Sequence, residues 1–175
     1  TDAKVNIMLC VYEGNVRING WNRNEVRAFV KGGTKVGFKV LEKNMKTQSP
    51  IWIEVLGFDP QTDKNPNQDE CLAGETIEID VPQTAVINLK SRESEVRIES
   101  VKKARIENVS GGIFLNNVTN GIEAVTFEGD VSVQNCAGSI SLFSTTGNIF
   151  AVDSQPVEIA EKKKKKTRSG KVTLQ

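Results

Sequence analysis

Hydrophobic and polar positions alternate through most of this chain, and in its second half they do so on a nine-residue beat. Ile113, Ile122, Val131, Ile140 and Ile149 fall nine apart, and two positions before each stands a glycine or asparagine: Gly111, Asn120, Gly129, Gly138 and Gly147. Two after each beat comes a second small or apolar residue, namely Leu115, Ala124, Val133, Leu142 and Ala151. Five after it comes a third, Val118, Phe127 and Cys136, before polarity takes over at Thr145 and Ser154. The alternation turns two side chains inward from one short strand. Glycine or asparagine suits a corner needing φ > 0, and the third column is expected to point in from the next corner. Just before that column stand Asn108, Asn117, Thr126, Asn135 and Ser144, placed to hydrogen-bond along a stack as amide ladders do. Units this short cannot bury an apolar face alone, so they must stack on one another.

Two architectures share this period. In a solenoid, two units form a coil of twice nine, about 18 residues, stacking Ile113 on Val131 on Ile149 and Ile122 on Ile140. In an antiparallel meander, each unit is one strand plus one tight turn. A meander calls for Asn-Gly or Asp-Gly at nearly every corner, and only Asn120-Gly121 supplies one. It also gives no reason for the third column. The solenoid is the favoured expectation.

The first half reads as less regular strands. Val5, Ile7, Leu9 and Val11 alternate with polar or softer residues, followed by Val16 and Ile18, then 26–30, 36–41 and 51–58. Glu13-Gly14-Asn15, Asn19-Gly20, Gly32-Gly33 and Ser49-Pro50 read as turns between them. Residues 59–75 are polar and contain two prolines, a long surface loop, after which Ile77, Ile79 and Val81 resume a strand that Pro82 ends. Early copies of the repeat begin with Ile87 and Leu89, then Val96, Ile98 and Val101, then Ala104, Ile106 and Val109. The rhythm breaks at Ser154-Gln155-Pro156 and returns at Ser169–Leu174, so the charged stretch between them interrupts the repeat. The expected organisation is one all-β domain over 1–175, with strands over 1–82 and solenoid repeats over 83–175.

Length and composition fit that reading. A chain of 175 residues has room for one sizeable core. No segment shows sustained helical periodicity, and no apolar run approaches the roughly 18 residues that span a bilayer. With 23 basic and 22 acidic residues the net charge is +1, which offers no global field for nucleic acid. Cys10 falls in an apolar strand, Cys71 in the polar loop as the exposed thiol, and Cys136 in the third apolar column as a small core residue. There is no histidine and no Cys-x-x-Cys, so zinc, haem and thiol-redox chemistry lack support. No cofactor or metal is expected.

The segment GNVRINGWNRNEVRAFV, followed by Ser-Gly-Gly-Ile, Ala-Gly-Ser-Ile-Ser-Leu and Thr-Gly-Asn-Ile units, resembles a large bacterial family of adhesin-like proteins of unknown function. These include auto-transporter adhesin heads and are built as right-handed parallel β-solenoids. The resemblance covers most of the chain. It implies an exported, periplasmic or cell-surface protein whose signal peptide has been removed, a non-enzymatic role, and no catalytic residues to carry over. Its partners would be a cell-envelope polysaccharide or a surface protein, with end-to-end self-association left open.

Candidate chemistry is sparse. Parallel β-helix folds also carry polysaccharide lyases and hydrolases, which need converging carboxylates. Glu123, Glu128, Asp130 and Asp153 are scattered along the repeat, and solvated strand faces account for them. Asp59, Asp63, Asn65, Asn67, Asp69 and Glu70 place oxygen ligands at calcium-like spacing but lack the glycine and terminal glutamate of a calcium loop. The strongest charge block is Lys162, Lys163, Lys164, Lys165 and Lys166, with Arg168 and Lys171 beyond it. It is the candidate ligand-binding segment for anionic surfaces, and is expected to be a solvated loop. Trp21 and Trp52 are candidates for a sugar-stacking platform, with core or rim packing as the ordinary alternative. A carbohydrate-active enzyme on this scaffold and a self-associating structural scaffold are the rival readings.

Overall fold

The computed structural model describes residues 5–41, 51–58, 71–159 and 172–174. Every regular element among them is a strand. The first half supplies β1 (Val5–Trp21), β2 (Arg27–Lys31), β3 (Lys35–Leu41), β4 (Ile51–Phe58) and β5 (Leu72–Pro82). The second supplies β6 (Val86–Glu99), β7 (Lys103–Ser110), β8 (Ile113–Asn116), β9 (Ile122–Glu128) and β10 (Val131–Gln134). Then follow β11 (Ala137–Ser144), β12 (Ile149–Val152), β13 (Gln155–Ile159) and β14 (Val172–Leu174).

Together they form one 14-stranded sheet, and its pairings sort into two ladders. The first runs β3, β4, β1, β6, β7, β9, β11, β13 through the leading halves of β1 and β6. The second runs β2, β5, β1, β6, β8, β10, β12, β14 through their trailing halves. Val131 pairs in parallel with Ile113 on one side and Ile149 on the other, and Ile140 pairs with Ile122. This 18-residue register (131 less 113) excludes the antiparallel meander, which would pair strands adjacent in sequence. Inward residues of both ladders, such as Ile106 and Ala124 from the first and Leu115 and Val133 from the second, share one buried core.

The sheet is mixed, which corrects the expectation of a purely parallel arrangement. β2 lies antiparallel to β5, and β3 antiparallel to β4. Chain order explains this: β1 lies between the β4/β5 tier and β6, so the chain leaves β1, doubles back as β2 and β3 along the outer edge, and re-enters as β4. An antiparallel strand covers an edge that would otherwise offer unpaired backbone groups.

Two expected turns are absent. Glu13-Gly14-Asn15 and Asn19-Gly20 lie inside the continuous β1, where register shifts flank Glu13. Gly14 takes φ 131° against the Gly74 carbonyl, with no space for a Cβ, so the glycine bends a strand instead of ending one. The polar loop also ends sooner than expected, because Leu72 is fully buried at the start of β5. Residues 59–70 lie outside the described residues.

The nine-residue units alternate between two unlike corners. At one, Ser100, Asn117, Asn135 and Asp153 adopt positive φ of 48–60°, and Val101, Val118, Cys136 and Ser154 follow them into the core. At the other, the buried column is polar: Ser91, Asn108, Thr126 and Ser144. There Ser91 Oγ donates to Asn108 Oδ1 (2.8 Å), and Asn108 Nδ2 donates to the Ser94 carbonyl (2.8 Å). Thr126 and Ser144 donate to the carbonyls of Gly111 (3.1 Å) and Gly129 (2.6 Å). These bonds satisfy backbone groups that a buried corner would otherwise strand. Two expectations are corrected here. The polar column divides between the two corners: Asn117 Nδ2 donates to Ser100 Oγ one tier away (3.2 Å), while Asn108, Thr126 and Ser144 are buried at the other corner. Phe127 and Val109, expected in the core, are 58% and 53% exposed, because at this corner the residue before them points in.

Candidate functional site

Most residues singled out from the sequence do not converge. Lys162–Lys166, Arg168 and Lys171, and the calcium-like set from Asp59 to Glu70, lie outside the described residues. Glu123 pairs with Arg105 at 3.0 Å on the outside of the first ladder, while Glu128 lies at the polar corner and Asp153 at the opposite one. Asp130 accepts a hydrogen bond from the Asn148 amide (2.7 Å) beside the second ladder. Among the described residues no three metal-ligating side chains come together.

The tryptophans do not form one platform. Trp52 pairs with Asn6 near the start of β1, whereas Trp21 lies at its far end opposite Pro82. Trp21 is locked into the rim: Arg23 and Arg27 lie 5.1 and 5.0 Å from its ring, and its Nε1 donates to the Glu25 carbonyl (2.8 Å). Arg27 is itself held by Asp80 at 2.7 Å. Rim packing is the finding here.

Cys10 and Cys71 form a disulfide with Cα atoms 4.6 Å apart, a pairing that the reading of Cys71 as the exposed cysteine of the polar loop does not foresee. Spacing of 61 residues concealed the pair, but the Val11–Leu72 register sets their backbones side by side. Cys136 is the buried free cysteine. Removal from water raises its thiol pKa above the ordinary value, opposed by hydrogen bonds from the backbone around Val118 and Gln134.

The outer faces carry several grooves. One, of about 870 Å³, passes the polar corner between Glu13, Glu75, Glu93 and Glu95. A second of about 410 Å³ is lined by Met8, Trp52, Lys90 and Arg105 on the first ladder. A third, about 500 Å³, lies on the second ladder and is lined by Glu78, Arg17, Arg97, Phe114 and Ser132. Those five residues form part of one straight row across the strands, which Phe150 continues. Arg17 and Arg97 are direct register partners. The Arg97 guanidinium stacks over the Phe114 ring at 4.6 Å, a cation–π contact. Sequence reading missed this row because outward positions carry no periodic apolar signal. An 18-residue ruler would have aligned Phe114, Ser132 and Phe150.

No family model matches the chain, and no curated protein matches it. Among solved structures it is similar to a putative cell adhesion protein from Clostridium sporogenes. The two are 10% identical with a TM-score of 0.54, over 99% of this chain and 93% of the other. At that identity the likeness is one of fold.

Proposed function

We propose that this chain is an exported, non-enzymatic, adhesin-like protein, a right-handed parallel β-solenoid with about 18 residues per coil, acting at the cell surface or in the periplasm. The observation that carries this reading is the second-ladder face, where the row from Glu78 to Phe150 presents charged and aromatic side chains in strict register along the stack. Such a face suits recognition of an extended surface polymer, since one side chain is offered per strand spacing of about 4.8 Å. Export is supported by the Cys10–Cys71 disulfide, a bond that persists in oxidising compartments. The adhesion reading is in keeping with the name borne by the similar Clostridium sporogenes structure.

The test is a binding screen of the purified chain against an array of oligosaccharides and surface proteins, run beside hydrolase and lyase assays on the same glycans. Binding without turnover is the expected result. Turnover of any glycan would replace this reading with a carbohydrate-active enzyme, and retention of the chain in the cytoplasm of its own cell would contradict export.

A further inference from the structure

We infer that Phe114, Ser132 and Phe150 form a slot on the outer face of the second ladder that takes one pyranose ring of a neutral polysaccharide. This inference rests on the adhesin-like reading and names the ligand class for that face. Ser132 is the direct register partner of Phe114 on one side and Phe150 on the other. The two aromatic residues are therefore two strand spacings apart, about 9.5 Å, with a small side chain as the floor between them. A ring stacked on an aromatic face lies about 4.5 Å or more from it. Two such contacts fill that gap with one saturated ring.

Both walls are available. Arg97 lies over the Phe114 ring from β6, the strand on the side away from β10 and Ser132. Among the described residues no ring contact closes Phe114 onto Phe150. The ends of the slot are polar. Asp130 and Gln134 flank Ser132 at two residues before and after it, on the same face of the chain and about 6.6 Å away along it. Asp130 is anchored through one carboxylate oxygen by the Asn148 amide (2.7 Å), which leaves the other oxygen as an acceptor. The Ser132 hydroxyl and the exposed Gln134 amide have no protein partner among the described residues. Stacking walls with hydrogen-bonding groups at both ends match a pyranose, whose faces are C–H and whose rim is hydroxyl. An acidic sugar gains no net attraction there, because Arg17 and Arg97 in the adjoining groove are offset by Glu78, Glu95 and Asp130.

The test is an array of defined neutral and acidic oligosaccharides probed with the wild-type chain, Ser132→Phe, Phe150→Ala and, as control, Phe127→Ala at the corner. Ser132→Phe fills the slot with a strand-favouring side chain, so it closes the site without removing core. Thermal melts confirm that each variant is folded. The wild type and Phe127→Ala are expected to bind neutral hexose or N-acetylhexosamine glycans equally. Ser132→Phe and Phe150→Ala are expected to bind them about tenfold more weakly or not at all. If the wild type binds a glycan and Ser132→Phe binds it unchanged, the slot is wrong while the adhesin-like reading stands. The slot is equally overturned if only acidic glycans or a protein ligand are bound, or if nothing on the array binds. Turnover of a glycan would remove the adhesin-like reading itself, whatever the variants do.

Discussion

The two halves of this molecule reach the same stacked core by different routes. From Lys103 to Ser154 each strand pairs with the strand two elements away, about 18 residues distant, and the pairing repeats at every tier. From Val5 to Pro82 the chain is out of order: β1 lies between β4/β5 and β6, β2 and β3 run backward along the edge, and a disulfide spans 61 residues. In the regular half each tier is held by its neighbours, so stability is close to a sum of repeated local terms. In the irregular half β1 pairs with strands more than 40 residues away in sequence (Val5 with Ile51, Val11 with Leu72), and closing those intervals costs chain entropy. The cross-link is found in that half, where it constrains the unfolded chain most.

The largest expected effect comes from breaking the regular half. Val131 is fully buried between Ile113 and Ile149. Val131→Asp places an unpaired charge in the core, a cost of several kcal/mol against a total stability of roughly 5–15 kcal/mol. Circular dichroism of this variant should show no cooperative melt. A wild-type melting temperature would refute the inward assignment.

Breaking the cross-link should touch the other half. Reducing Cys10–Cys71, or replacing both with serine, should cost about 2–5 kcal/mol in chemical denaturation. Amide exchange should accelerate first in β1 and β5, with β9–β12 remaining protected. Uniform acceleration across the chain would show that the halves do not differ as described.

Within the regular half the polar corner can be set against the corner of positive φ. Asn108 is buried, accepting from Ser91 and donating to the carbonyls of Ser94 and Gly111. Asn108→Ala strands those groups and should cost about 2–3 kcal/mol. Asn117 is exposed with φ 55°, so Asn117→Gly, which keeps that backbone at ease, should leave the denaturation midpoint nearly unchanged. Equal losses would erase the distinction between the corners.

The smallest effect is one of pH. Burial raises the Cys136 thiol pKa, so the folded state holds this proton more tightly than the unfolded state. The resulting stability is complete below the ordinary thiol pKa, about 8.5, and is lost as pH climbs from there through the raised folded value. Wild type should therefore lose stability over that alkaline range by slightly more than Cys136→Ala does. Identical pH profiles for the two would contradict a desolvated thiol.

These contrasts also show what could be read from the chain. Ile113, Val131 and Ile149 announce their stacking because inward positions repeat the same apolar demand at every tier. A nine-residue ruler nevertheless blurred the corners. It placed Phe127 with Val118 and Cys136, and Asn117 with Asn108, although successive corners solve different problems: one takes a non-glycine residue at φ 48–60°, the other a buried hydrogen-bonding side chain followed by a positive-φ glycine at Gly111 and Gly129. The partner strands of β1 were not legible, since pairings such as Cys10 beside Cys71 are set by chain order in the stack and leave no local pattern. The outer row of Phe114, Ser132 and Phe150 was equally silent, because solvent-facing positions of a strand carry no recurring apolar demand.

The central claim is parallel stacking at an 18-residue register, and interstrand nuclear Overhauser contacts test it most directly. Backbone contacts should link Val131 to both Ile113 and Ile149, and Ile140 to Ile122, in the amide-to-Hα pattern of parallel strands. Strong Hα–Hα contacts between β8 and β9 across Asn120-Gly121 would instead show neighbouring strands folded back antiparallel, and the account would fail.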